Sequence, residues 1–294
     1  MKTSYLFLIF CIYASSWGQL KHPKASPFSR IVQHIGLSTI TIEYSRPAVK
    51  GRVIFGEGSA GLPGLVPYNR IWRVGANEST KITFDTDVTV IGHPIPKGTY
   101  ALYAFLSKEE WQIIFHKNTT HWGDGRTAYD PSEDALRVTV IPSKVLTFQE
   151  NFMISFDEIT HDNAAMNWQW AHTKITVPIA VDTQGVMDKQ IQEKLENAPT
   201  PQTYYEIARY YQEQGIKTSE ALEYVNKALA IGGETYYFYR IKSLLQAELE
   251  LYTAAVLSAT KSMKIAKTLG KDEFVRMNQR KIRVWEKIEM SKKE

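Results

Sequence analysis

The segment Trp72-Arg73-Val74-Gly75-Ala76-Asn77-Glu78-Ser79-Thr80 gathers an arginine, an asparagine, a glutamate and two hydroxyls around one glycine. A second cationic stretch, YSRPAVKGRVIFG at residues 44–56, supplies Arg46, Lys50 and Arg52. Guanidinium and ammonium groups hydrogen-bond carboxylates, phosphates and sugar hydroxyls strongly. If the two segments neighbour each other, Arg46, Lys50, Arg52, Arg73 and Glu78 form a basic pocket with one carboxylate. In that arrangement Glu78 orients one arginine by a charge-assisted hydrogen bond and leaves the others facing a ligand. Two blander arrangements compete with it. Asn77 and Glu78 can be turn residues bonded to nearby backbone, or the charges can form a salt bridge that locks two strands.

Other constellations are weaker. His116-x4-His121 followed by Asp124 binds zinc only if a turn folds all three onto one centre. The segment reads as strand end and loop, so loop histidines are expected, with no metal and no cofactor. Glu78 and Asp85 offer the two acids of glycoside chemistry, but such a spacing is commonplace. There is no G-x-S-x-G, P-loop or Rossmann fingerprint. Whether the chain is an enzyme stays open; the enzymatic alternative is an exported hydrolase using Glu78, with the arginines as electrostatic stabilisers. Trp111, Trp122, Trp168 and Trp170 could stack on sugars, although core burial is the commoner fate of tryptophan. In WQW, Trp168 and Trp170 must share one strand face.

The elements that would carry these residues change character near residue 182. Before it, apolar residues alternate with period two in TITIEYS (39–45), KITFDT (81–86), LRVTVI (136–141) and NFMISFDEI (151–159), as in half-buried strands. TYALYAFL (99–106) and WQIIFHK (111–117) are apolar on both faces, which suits central strands. Gly/Pro clusters separate the runs. The expected fold class is therefore α+β multidomain, with an antiparallel β-sandwich, jelly-roll-like, over residues 19–182. A helix and linker follow over 183–201, ended by Asn197-Ala198-Pro199-Thr200-Pro201. From 202 to 294 the period is helical, and ALEYVNKALAIGG and AVLSATKSMKIAK begin 34 residues apart, at Ala221 and Ala255. Ala221 matches Ala255, Ala228 matches Ser262 and Ala208 falls near Ser243, a spacing of small residues similar to tetratricopeptide repeats. An ordinary helical hairpin bundle is the alternative.

The first residues, MKTSYLFLIFCIYASSWGQ, have a lysine, a short apolar run and then small residues, the pattern of a secretory signal peptide over 1–18 cleaved after Gly18. About ten apolar residues are too few to cross a ~30 Å hydrocarbon core. Cys11, the one cysteine of the chain, lies inside that run behind Ile9 and Phe10, so lipid attachment is not expected. The exported chain then has no disulfide and no thiolate chemistry. It keeps 34 basic and 31 acidic side chains, too even a balance to point to nucleic acid. No transmembrane segment is expected after cleavage; the expected location is periplasmic or extracellular.

YSRPAVKGRVIFG, LVPYNRIWRVGANESTKITF, IPKGTYALYAF, WQIIFHKNTTHWG and ALRVTV, in this order over roughly residues 25–180, resemble the bacterial family of domain of unknown function 2911. The resemblance implies motif positions at Arg46, Pro47, Lys50, Gly51, Arg52, Pro67, Trp72, Arg73, Gly75, Asn77, Glu78, Gly98, Tyr100, Lys117, Trp122 and Gly123; Asn69 stands where glycine is expected. It implies export and, at times, helical repeats, but no activity. The expected ligand-binding set is thus Arg46, Lys50, Arg52, Arg73, Asn77, Glu78, Lys117 and Trp122. The expected function is a binding module for a small polar ligand or glycan, with a helical tail for a protein partner. A purely structural or interaction protein is the remaining alternative.

Overall fold

The structure is a computed structural model that describes residues 22–58, 61–121 and 128–292. The expected signal peptide with Cys11, as well as Trp122, Gly123 and Asp124, lies outside the described residues. The chain divides into two compact units, Met1–Thr183 and Gln184–Glu294.

The first unit is a sandwich of two antiparallel sheets. The larger runs in the order β1 (Phe28–Ile35), β2 (Ser38–Ser45), β4 (Thr80–Phe84), β7 (Gly98–Leu106), β8 (Trp111–His116), β9 (Asp134–Val140), with the short β3 (Ile71–Trp72) also paired to β7. The smaller runs β10 (Ser143–Asp157), β11 (Asn163–Val181), β5 (Val88–Val90), β6 (His93–Ile95). Period-two alternation decides which side chains meet between them: Ile40, Ile42 and Tyr44 of β2, Leu102 and Ala104 of β7, and Phe115 of β8 all join one buried core with Phe152, Trp168 and Trp170. Trp72 is its hub. It stacks on Trp170 (6.2 Å, 18°) and meets Phe55, Trp111, Phe152 and Trp168 edge-on at 5.3–6.3 Å. Three of the tryptophans that could have been sugar platforms, Trp111, Trp168 and Trp170, are therefore core residues, WQW facing inward at both positions.

The connection after β2 pins one sheet to the other. Val49 N–H donates to Glu150 O at 2.8 Å, Phe152 N–H donates to Pro47 O at 2.9 Å, and the Tyr44 hydroxyl accepts from Ile154 N–H at 3.1 Å.

The second unit contains α1 (Thr183–Glu196), which starts at the boundary, then α2 (Pro201–Gln214), α3 (Thr218–Gly232), α4 (Tyr236–Glu248), α5 (Tyr252–Thr268) and α6 (Asp272–Ser291). The expected break at 197–201 is present: Thr200 caps α2 in a reciprocal capping box with Thr203, and Pro201 sits where its missing N–H is harmless. α1 is more than a linker, because Ile191 joins the helical core of Ile207, Tyr211, Val225, Phe238 and Leu245. Ala208, Ala221, Ala228, Ser243, Ala255 and Ser262 are all fully buried, so the small side chains lie where neighbouring helices need close approach. No helix among the described residues is long and apolar enough to cross a membrane.

Candidate functional site

The segment leaving β3 passes through a turn that few side chains tolerate. Val74 has φ 55° and Asn77 φ 64°, with Gly75 at φ 135° between them. Left-handed backbone at a β-branched residue costs on the order of 1–3 kcal/mol. It is held here because Val74 is fully buried, its carbonyl accepts the Thr80 hydroxyl, and Thr80 N–H donates to Arg73 O at 3.1 Å. A Cβ on Gly75 would approach the Ser45 carbonyl oxygen to 2.8 Å, so the position needs glycine for space as well as for φ.

This turn sends Arg73 and Glu78 to different neighbours. Glu78 is exposed and pairs with Lys81 at 2.9 Å; the hydrogen bond and charge of Lys81 hold its carboxyl below the ordinary value. Among the described residues, the expected bond from Glu78 to an arginine is not made; the short-range partner three residues along the chain has taken the carboxylate. Asn77 ties the turn down, its Nδ2 donating to Ser45 Oγ at 3.0 Å and Ser26 O at 3.3 Å. The cations of the 44–56 stretch do not converge with Glu78 either. Arg46 Nε donates to Phe152 O at 2.9 Å, and Arg52 donates to Val49 O at 3.0 Å and Ala48 O at 2.6 Å. Lys50, at φ 48°, donates its N–H to Glu150 Oε1 at 2.9 Å, with its side chain exposed. These residues shape the loop and pin it to β10. Asp85 accepts from Thr39 N–H at 2.7 Å. Lys117 is exposed, and Trp122 lies outside the described residues.

Arg73 lines a cavity of about 360 Å³ together with Arg70, Pro47, Pro67, Trp72 and Trp170. None of the residues lining it is acidic. Arg70 is exposed and has no hydrogen bond or ion pair among the described residues. The sequence points to Arg73, and to Trp170 as an aromatic platform, but not to Arg70. The signal that could have found Arg70 is its place in NRIWR, where only the two-residue strand Ile71–Trp72 separates it from Arg73.

A second polar group of side chains occupies the other face of the large sheet. Along β7 and β8 the residues opposite in phase to the core set are Ala101, Tyr103 and Ile114, a separate buried cluster against which Ile71, Phe105 and Tyr129 pack. His116 continues this face and is completely buried, at 0% exposure. The β8–β9 register sets it opposite Asp134, and its Nδ1 lies 3.1 Å from Asp134 Oδ1. Asp134 also accepts from the Tyr129 hydroxyl at 2.8 Å and from Arg137 Nη2 at 2.8 Å. Burial, with the Asp134 carboxylate second, pushes the Tyr129 phenol far up, so the phenol stays protonated and donates. The other His116 nitrogen, Nε2, is buried without a hydrogen-bond partner, 3.3 Å from Glu133 Oε2. The Tyr103 hydroxyl is 3.4 Å from His121 Nδ1. Burial raises the Tyr103 phenol, while Ser79 and the Arg73 guanidinium act on it in the opposite direction, so the Arg73 charge reaches this cluster as well as the cavity.

One ligand atom from each of His116, His121 and Glu133 lies within 4.8 Å of the others. The sequence reading expected loop histidines and no metal; His116 is instead the buried end of a central strand. Asp124 lies outside the described residues, and among the described ones the third ligand atom comes from Glu133. That residue, in a single 3-10 turn at Pro131–Glu133, returns to the site from the far end of the β8–β9 connection, a proximity that spacing alone does not encode.

The profile of the family described as "Protein of unknown function (DUF2911)" matches residues 26–179, over half of the chain, and the chain belongs to this family. No curated protein matches it.

Proposed function

We propose that this member of the DUF2911 family is a binding module whose sandwich takes a small anionic ligand, such as a carboxylate, a phosphate or an acidic sugar. The observation that carries this reading is the cavity lined by Arg70 and Arg73, with tryptophan walls and no acidic side chain. A guanidinium at such a mouth forms paired, charge-assisted hydrogen bonds, and the apolar walls exclude the water that would weaken them. The hydrolase alternative lacks comparable support, because Glu78 is exposed, held ionised by Lys81 and thus poorly suited to donate a proton near neutral pH.

The helical unit, in this proposal, is a tetratricopeptide-like scaffold for a protein partner. Its support is the 34-residue offset that pairs buried Ala221 with buried Ala255 and buried Ala228 with buried Ser262. Export is proposed from the leader-like first 18 residues.

The test is a thermal-shift and calorimetric titration of the purified chain against phosphate, small carboxylates, uronic acids and their neutral sugar counterparts. Acidic compounds are expected to raise the melting temperature and neutral ones not. Arg70→Met is expected to weaken binding by about tenfold or more (~1.4 kcal/mol), with the stability of the free protein within ~0.5 kcal/mol of wild type. Equal response to acidic and neutral sugars, or unchanged anion binding in Arg70→Met, overturns the proposal.

A further inference from the structure

We infer that the outer face of the large sheet holds a divalent transition-metal site formed by His116, His121 and Glu133, with Asp134 positioning His116. Four observations converge on it.

First, the donor set is suitable: two imidazoles and a carboxylate are the ligands that zinc and its neighbours in the first transition row accept, whereas calcium and magnesium call for six or more oxygens. Second, the spacing fits. Bonds of about 2.1 Å around a tetrahedral ion hold neighbouring ligand atoms about 3.4 Å apart, and His116 Nε2 stands 3.3 Å from Glu133 Oε2 without bonding to it. The three ligand atoms already lie within 4.8 Å of one another. His121 is half-buried and the Glu133 side chain is 41% exposed, so both can adjust by the remaining distance.

Third, the tautomer is set for coordination. Asp134 accepts from His116 Nδ1–H, which leaves the lone pair on Nε2 directed at the site; this carboxylate–histidine arrangement also raises the basicity of the ligand. Asp134 is itself held by Tyr129 and Arg137, so it orients the imidazole. Fourth, a buried nitrogen without a partner is costly, by about 1–3 kcal/mol. His116 Nε2 is such an atom on a residue with no exposure at all. A bound cation removes that penalty and also supplies a counter-charge to the Glu133 carboxylate 3.3 Å away. Three protein ligands leave further coordination positions for water or a ligand atom.

The experiment uses untagged, chelator-stripped full chain, titrated separately with zinc(II), cobalt(II), calcium(II) and magnesium(II). One equivalent of zinc is expected to bind and to raise the melting temperature. Cobalt is expected to give the intense visible bands of a four- or five-coordinate ion, and calcium and magnesium to do nothing. His121→Ala and Glu133→Gln, both at partly exposed positions, are each expected to weaken zinc binding by about tenfold or more, and Asp134→Asn by about 10–100-fold. His93→Ala, an exposed imidazole on β6, is expected to change nothing. Because His116→Ala empties a buried position and could unfold the domain, the wild-type cobalt spectrum is the independent measurement. Absence of zinc binding, a weak six-coordinate cobalt spectrum, or unchanged affinity in either His121→Ala or Glu133→Gln overturns the inference.

Discussion

The two faces of the large sheet are both buried where β7 and β8 run, yet they are built on opposite principles. The inner face sets Leu102, Ile113 and Phe115 against an aromatic core centred on Trp72. The outer face, one residue out of phase, sets Tyr103 and His116 under Tyr129 and the β8–β9 connection, with carboxylates and a guanidinium among them. Burial of apolar area stabilises without direction, whereas buried polar groups stabilise only if each one is matched. The inner face is therefore a scaffold tolerant of many similar side chains. The outer face is intolerant, because any donor or acceptor left unmatched there costs free energy.

Breaking the inner face should have the largest effect. Trp72→Ala removes the ring that touches five other aromatic side chains and is expected to destabilise the sandwich by about 3–5 kcal/mol, measured as a lower urea midpoint at unchanged slope. A loss under about 1 kcal/mol would mean that Trp72 is not the hub. The outer face should respond less to a comparable insult. Asp134→Asn leaves the shape intact but weakens the bonds from His116, Tyr129 and Arg137, and is expected to cost about 1–3 kcal/mol in the same titration. The smallest effect belongs to the solvent side of the turn. Glu78 has its carboxyl held below its ordinary value of 4.5 by Lys81, so the pair contributes stability above that pH and loses it as pH falls through the lowered value. At 59% exposure of the Glu78 side chain the contribution stays below about 1 kcal/mol. Glu78→Gln should leave the melting temperature near neutral pH almost unmoved and flatten its decline only below about pH 4.5.

The same contrast explains what could be read in the sequence. Period-two alternation is a local property, so the antiparallel sandwich, the inward pair Trp168 and Trp170 and the change to helices after Val181 follow from neighbours in the chain. Thr200 and Pro201 announce a helix start for the same reason. The polar site is not local. Arg46, Lys50 and Arg52 looked like one cationic patch because sequence records charge but not the carbonyl each guanidinium meets. Glu78 found Lys81 before it could find an arginine. His116 gave a readable hint, a polar residue closing the run WQIIF in which both faces are apolar. Its partners Asp134 and Glu133 depend on strand register and on a long connection, neither of which the residue spacing determines.

The pins between the two sheets set an order of events during synthesis. Tyr44 bonds to Ile154, Arg46 to Phe152 and Lys50 to Glu150, each across a hundred residues or more of chain. A polypeptide emerging N-terminus first therefore makes the β1–β2 hairpin early, with Ile40, Ile42 and Tyr44 lacking the sheet they pack against. That apolar stripe stays uncovered until β10 has been added, about a hundred residues later. Contacts of such long separation make folding slow, on the order of milliseconds to seconds even for small all-β domains. During that interval the half-made sandwich is a natural client for any chaperone that holds exposed β-strands.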